Sequence, residues 1–173
     1  MSASVLVAGI GNIFQGDDGF GVAVVQRLSG IPLPDNVRVM DAGIRAMDLA
    51  FALLDDYETV ILVDAIQRGG APGTLYTIEI SPEDIPEMGD GDSVVNSHSL
   101  DPVRVLSLAT RLGARLRNIL LMGCEPQTLD CDDTGYIGLS KPVAAAVDCA
   151  ARWIQQLAFE KSHRTEEVLH DYR

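Results

Sequence analysis

Basic side chains are scarce: 13 Lys and Arg stand against 25 Asp and Glu, for a formal net charge of −12. Nucleic acids and anionic membrane surfaces are bound through clustered Lys and Arg, so the balance argues against both as partners. The acidity itself is accounted for as solubility. Cysteine is as rare as histidine, with three of each. Cys124, Cys131 and Cys149 are odd in number and fall at no zinc-ligand spacing, which excludes a disulfide framework and points to a reducing compartment. No uncharged apolar run approaches the roughly 18 residues that span a bilayer. The N-terminus has no basic region and reaches Gly9 too early for a signal peptide. These absences predict a cytoplasmic protein. No internal repeat is present, and no Gly-x-Ser-x-Gly elbow, which sets aside a serine hydrolase of that type.

What is present is an ordinary globular composition, 47% hydrophobic and 22% charged over 173 residues. That length predicts a single domain, drawn here as 1–160, with a charged tail over 161–173. Short runs rich in Val, Ile and Leu at 4–8, 37–40, 59–63, 74–80 and 118–122 read as strands. Those at 4–8, 59–63 and 118–122 are almost continuously apolar, as in strands covered on both faces. Helical patterns lie between them. Phe20, Val24, Val25 and Leu28 share one face, and Met47, Ala50, Phe51 and Leu54 share another. Asp101-Pro102 is a cap followed by proline at the first helical position, ahead of Val105, Leu108, Ala109 and Leu112. Val143, Val147, Ala150, Ile154 and Leu157 mark the last helix.

Alternation of this kind predicts a three-layer α/β/α sandwich around a five-stranded, mostly parallel sheet with one antiparallel strand. The 74–80 strand follows 59–63 too closely for a helix to intervene. It is expected to be the antiparallel hairpin partner of that strand, through the turn at 68–73. Two segments, 81–97 and 125–139, break the alternation and are long enough to be functional loops.

In such a sheet, chemistry sits beyond the carboxyl ends of the strands. The first strand runs into Gly9-Ile10-Gly11-Asn12-Ile13-Phe14-Gln15-Gly16-Asp17-Asp18-Gly19. Gly9 and Gly11 match two glycines of a dinucleotide fingerprint, but Phe14 occupies the third position and two carboxylates precede the helix, so nucleotide binding is disfavoured. Capping of the Phe20 helix would explain one of Asp17 and Asp18 and leave the other over. The second strand ends at Asp41, the third at Asp64 and the fifth at Cys124-Glu125. His98 is the only histidine before the tail. Two carboxylates and one imidazole from separate segments would suit a divalent transition metal such as Ni, Fe or Zn. Cys124 reads as a small buried hydrophobe rather than a nucleophile.

The segment Gly9–Gly21, read with Val63-Asp64-Ala65-Ile66, Ala71-Pro72-Gly73-Thr74, Ser97-His98 and Met122-Gly123-Cys124-Glu125-Pro126, resembles the hydrogenase maturation proteases. These endopeptidases trim the C-terminus of the nickel–iron hydrogenase large subunit. The resemblance implies a five-stranded α/β/α fold and a metal-contacting, catalytic triad at the positions of Asp18, Asp64 and His98. It also implies a substrate-positioning role for Asp41 and Gly43. One departure stands out: the family commonly has Asp-Gly-Gly-Thr where this chain has Asp41-Ala42-Gly43-Ile44, so a hydroxyl is missing at Ile44. The expected partner is a large-subunit precursor that brings its own nickel, which Asp18, Asp64 and His98 would meet, with the protease acting as a monomer. A non-catalytic nickel-sensing module or chaperone for the same precursor is the alternative. The loop 81–97 is a candidate lid or docking strip.

Overall fold

The computed structural model describes residues 4–87, 101–128 and 137–170, with side chains to residue 162. Five strands, β1 (Val5–Ile10), β2 (Val37–Gly43), β3 (Thr59–Ala65), β4 (Leu75–Ile80) and β5 (Asn118–Cys124), form one sheet in the order β2-β1-β3-β5-β4. All neighbours are parallel except β4, which runs antiparallel to β5. Helices α1 (Phe20–Leu28), α2 (Ala46–Ala52), α3 (Pro102–Arg111) and α4 (Lys141–His170) complete the fold. The charged segment from Lys161 continues α4 as far as His170. Among the described residues no helix is long and apolar enough to cross a membrane.

Alternate residues of the central strands feed opposite layers, as the period of two requires. Val5, Val7, Ile61 and Val63 pack with α1 and α4, while Leu6, Ala8, Val60 and Leu62 pack with α2 and α3. Every residue of β1 and β3 is buried. That is why these strands read as unbroken apolar runs.

Two expectations are corrected. β4 is antiparallel, but it does not pair with β3: β5 lies between them, with Leu75 opposite Cys124 and Ile80 opposite Ile119. The buried interior of β5 needs a neighbour on each side, whereas β4, with no fully buried residue, suits the edge. The loop after β3 therefore passes over the end of β5. The second correction concerns α2. Its core face is Leu49, Ala50 and, just beyond the helix, Leu53, whereas Met47, Phe51 and Leu54 are exposed.

The remaining helices follow their sequence signals. The Asp101 carboxylate accepts from the Val103 amide at 2.9 Å, ahead of Pro102. Val143, Ala150 and Ile154 of α4 are fully buried.

Close approach of α1 to the sheet rests on Gly9 and Gly21. A Cβ on Gly9 would overlap the Gly21 carbonyl, and one on Gly21 would overlap the carbonyls of Ile10 and Val63. Gly21 thus performs the helix-to-strand packing that the third fingerprint glycine performs in a dinucleotide fold. The loop before α1 stays free for other work.

Candidate active site

The chain leaving β1 runs to β2 on one side, and the chain leaving β3 runs to β4 and β5 on the other. The crevice between the ends of β1 and β3 is therefore the topological switch point, where open α/β sheets place their sites. The β1 loop enters it through Gly11, whose φ of +127° no ordinary side chain adopts and whose Cβ would overlap the Asp18 carbonyl. Asn12 then folds the loop on itself. Its side-chain oxygen accepts from the Phe14 amide at 3.0 Å, and its carbonyl accepts from the Gln15 amide at 3.0 Å. A 3-10 turn over Gly16–Gly19 follows and carries the two acids.

Neither acid caps α1, whose N-cap is Gly19 with no side-chain cap bond. The two carboxylates diverge instead. Asp17 is buried, at 2% exposure, and accepts from the Gln127 amide at 2.8 Å, the Ser140 amide at 2.7 Å and the Ser140 hydroxyl at 2.9 Å. Asp18 turns back to its own loop and accepts from the Asn12 amide at 2.7 Å. Burial pushes the Asp18 carboxyl above its ordinary pKa, and the Asn12 bond offsets only part of that.

Asp64 is the penultimate residue of β3 and is 6% exposed. Its carboxylate accepts from the Ala65 amide at 2.8 Å. Burial drives its pKa well above the usual carboxylate range, the negative charge of Asp18 raises it further, and Asp101 adds to the same effect. Asp64 thus lies close enough to Asp18, another of the three expected triad residues, to feel its charge. His98 lies outside the described residues, as does most of the loop 81–97. Among the described residues no three His, Cys, Asp or Glu side chains group closely enough to hold a metal ion.

Asp41 and Gly43 stand at the end of β2 and line an open cleft of about 270 Å³, together with Gly11, Phe14 and Ile44. Gly43 has φ +52°, and its carbonyl accepts from the Gly11 amide at 3.0 Å, joining the β2 end to the β1 loop. Arg45 donates to the Asp41 carbonyl. Ile44 is 60% exposed on the cleft wall.

Cys124 offers no nucleophile: burial first, then Asp17 and Glu125, push its thiol up to about 12. The sequence reading missed the duties of two acids. Asp17 is one; Glu125 is the other. Glu125 accepts from the Arg68 amide at 2.8 Å, the Gly69 amide at 3.1 Å and the Tyr76 hydroxyl at 2.8 Å. Burial alone would raise its pKa, but these bonds outweigh it and hold the carboxyl below its ordinary value. Glu125 thereby fixes the β3–β4 loop where it crosses the end of β5. The visible signal was an acid at a strand end opposite a Gly-Gly turn.

A family model described as hydrogenase maturation protease matches residues 22–157. The chain belongs to the hydrogenase maturation proteases. It is 32% identical to the hydrogenase expression/formation protein HupD of Rhizobium leguminosarum bv. viciae over 167 residues, covering 94% of this chain and 79% of that protein. Among solved structures it resembles the hydrogenase maturating endopeptidase HybD from Escherichia coli, with TM-score 0.73, 28% identity, and 92% and 93% of the two chains covered. It also resembles the [NiFe] hydrogenase maturation protease HycI from Thermococcus kodakarensis, with TM-score 0.64, 25% identity, and 90% and 92% covered. This maturation protease therefore has the fold and the peptidase class that its opening motif implied. The family match begins at residue 22, beyond the Gly9–Gly21 segment.

Proposed function

We propose that this protein is the endopeptidase that removes a C-terminal extension from the nickel-loaded precursor of a nickel–iron hydrogenase large subunit. The observation that carries the reading is the pair of carboxylates beyond the strand ends: Asp64 at the end of β3, and Asp18, held by the amide of Asn12, which itself lines the open cleft. In this reading the nickel belongs to the substrate. Asp18, Asp64 and His98 meet it, while Asp41 and Gly43 position the tail of the precursor in the cleft. Hydrolysis of an amide needs one group to take a proton from water and another to give one to the departing amine. Two carboxylates of raised proton affinity, one raised further by the charge of the other, are suited to dividing those tasks. Without nickel the three ligands gain no partner, so cleavage is conditional on metal insertion. The working unit is a cytoplasmic monomer.

The test is mass spectrometry of a nickel-loaded large-subunit precursor after incubation with the protease, beside a nickel-free control. Loss of a short C-terminal peptide from the loaded sample alone is expected. Cleavage of both samples would remove the nickel-docking step. Asp18→Ala and His98→Ala are each expected to lower the rate by at least about 100-fold. Retained cleavage in both would end the site assignment.

A further inference from the structure

The large apolar residues left exposed on α2 and the turns that flank it form a pattern of their own. Ile44, Met47, Phe51 and Leu54 are 60%, 42%, 54% and 39% exposed. Met47 and Phe51, four residues apart, share one side of α2, with Ile44 in the turn just before the helix and Leu54 in the 3-10 turn just after it. Ile44 is also a wall of the cleft, whose opposite wall carries Phe14, 60% exposed, and Ile13, 47% exposed. Ile44 is thus both a lining residue of the cleft and the first member of the exposed apolar run that α2 carries on. A monomer seldom leaves a run of large side chains in water without a partner for it.

We propose that this stripe is the surface on which the folded body of the large-subunit precursor docks, through an apolar patch of its own, while its tail enters the cleft. The inference rests on the function proposed above. Its first support is size. A cleft of about 270 Å³ holds only a few residues of an extended chain. A specific protein–protein interface buries roughly 1,200 Å² or more, so recognition must continue onto the neighbouring surface. The α2 stripe is the apolar surface that begins at the cleft wall. The second support is charge. Two copies of a chain of net charge −12 repel one another, which disfavours a second copy as the occupant and favours a different protein. Within the stripe the one carboxylate, Asp48, is paired with Arg45 at 3.6 Å, so the surface is not fringed by an unbalanced acid there.

The experiment compares wild type with Phe51→Glu and, separately, Met47→Gln. Both positions are exposed, and circular dichroism melting confirms folding. Two readouts are taken with the nickel-loaded precursor: the Kd of the complex by surface plasmon resonance, and KM and kcat for tail release. Phe51→Glu is expected to raise Kd and KM at least tenfold with kcat within about twofold, and Met47→Gln to raise them about threefold. Unchanged Kd and KM in both folded variants would overturn the proposal. If Phe51→Glu does not fold, Met47→Gln alone decides by the same measure. Sedimentation of wild type covers the other occupant: a dimer abolished by Phe51→Glu, with Kd for the precursor unchanged, assigns the stripe to a second copy and overturns the proposal. A wild type that binds the precursor without cutting it would sink the proposed function. The stripe would then still stand or fall on Kd alone.

Discussion

Asp17 and Asp18 are neighbours in sequence and opposites in employment. Asp17 spends both oxygens on Gln127 and Ser140, tying the end of β5 and the start of α4 to the turn that presents Asp18. Asp17→Ala would strand these donors, and we expect a loss of about 2 to 4 kcal/mol in urea-denaturation stability. Asp64 has the opposite economy. Its raised pKa means that the folded state prefers the neutral carboxyl, so ionisation costs stability. The contribution is favourable below the ordinary carboxyl value, and it declines as pH rises toward the raised one. Asp64→Asn should therefore melt higher than wild type at neutral pH and match it near pH 4, while losing cleavage. Equal melting temperatures at neutral pH would remove the buried-charge argument. Asp64 stood out in sequence because it lies at the end of a strand, whereas Asp18, in the turn ahead of α1, is told from Asp17 only by the family resemblance. The duty of Asp17 was not legible, because its partners lie more than a hundred positions away.

At the scale of elements, all five strands and four helices were readable from period and capping, because each signal is local. Two relations between elements were not. Of Met47, Ala50, Phe51 and Leu54, which share a side by period, only Ala50 is buried, since periodicity tells which residues share a side and not which side meets the core. The pairing of β4 was misassigned because proximity in sequence favours a hairpin, while the need of β5 for two neighbours is visible only in the assembled sheet. The contact of α1 with the sheet also depends on an unassuming position. Gly21→Ala forces a methyl group into the Ile10 and Val63 carbonyls, and we expect about 3 kcal/mol of destabilisation in the same denaturation assay. The helix propensity gained from alanine, about 1 kcal/mol, does not offset that overlap.

For the whole molecule, the excess of acid outweighs the ion pairs on the surface. Arg27–Asp148, Arg38–Asp55 and Arg117–Glu58 are all substantially exposed, and such pairs contribute about 0 to 1 kcal/mol each. Self-repulsion at net charge −12 is the larger long-range force, so screening it should stabilise the fold. The melting temperature is expected to rise between about 10 mM and 150 mM salt, over which the Debye length falls from roughly 30 to 8 Å. A fall would show that the pairs dominate.

The place of β5 between β3 and β4 also orders events in time. A ribosome delivers β3 and β4 before it delivers the strand that separates them. Until residues 118–124 emerge, the hairpin that the sequence suggests is the nearest pairing within reach of β4. A newborn chain halted short of β5 would leave the edges of β3 and β4 without their native neighbour, exposed to pairing with other chains.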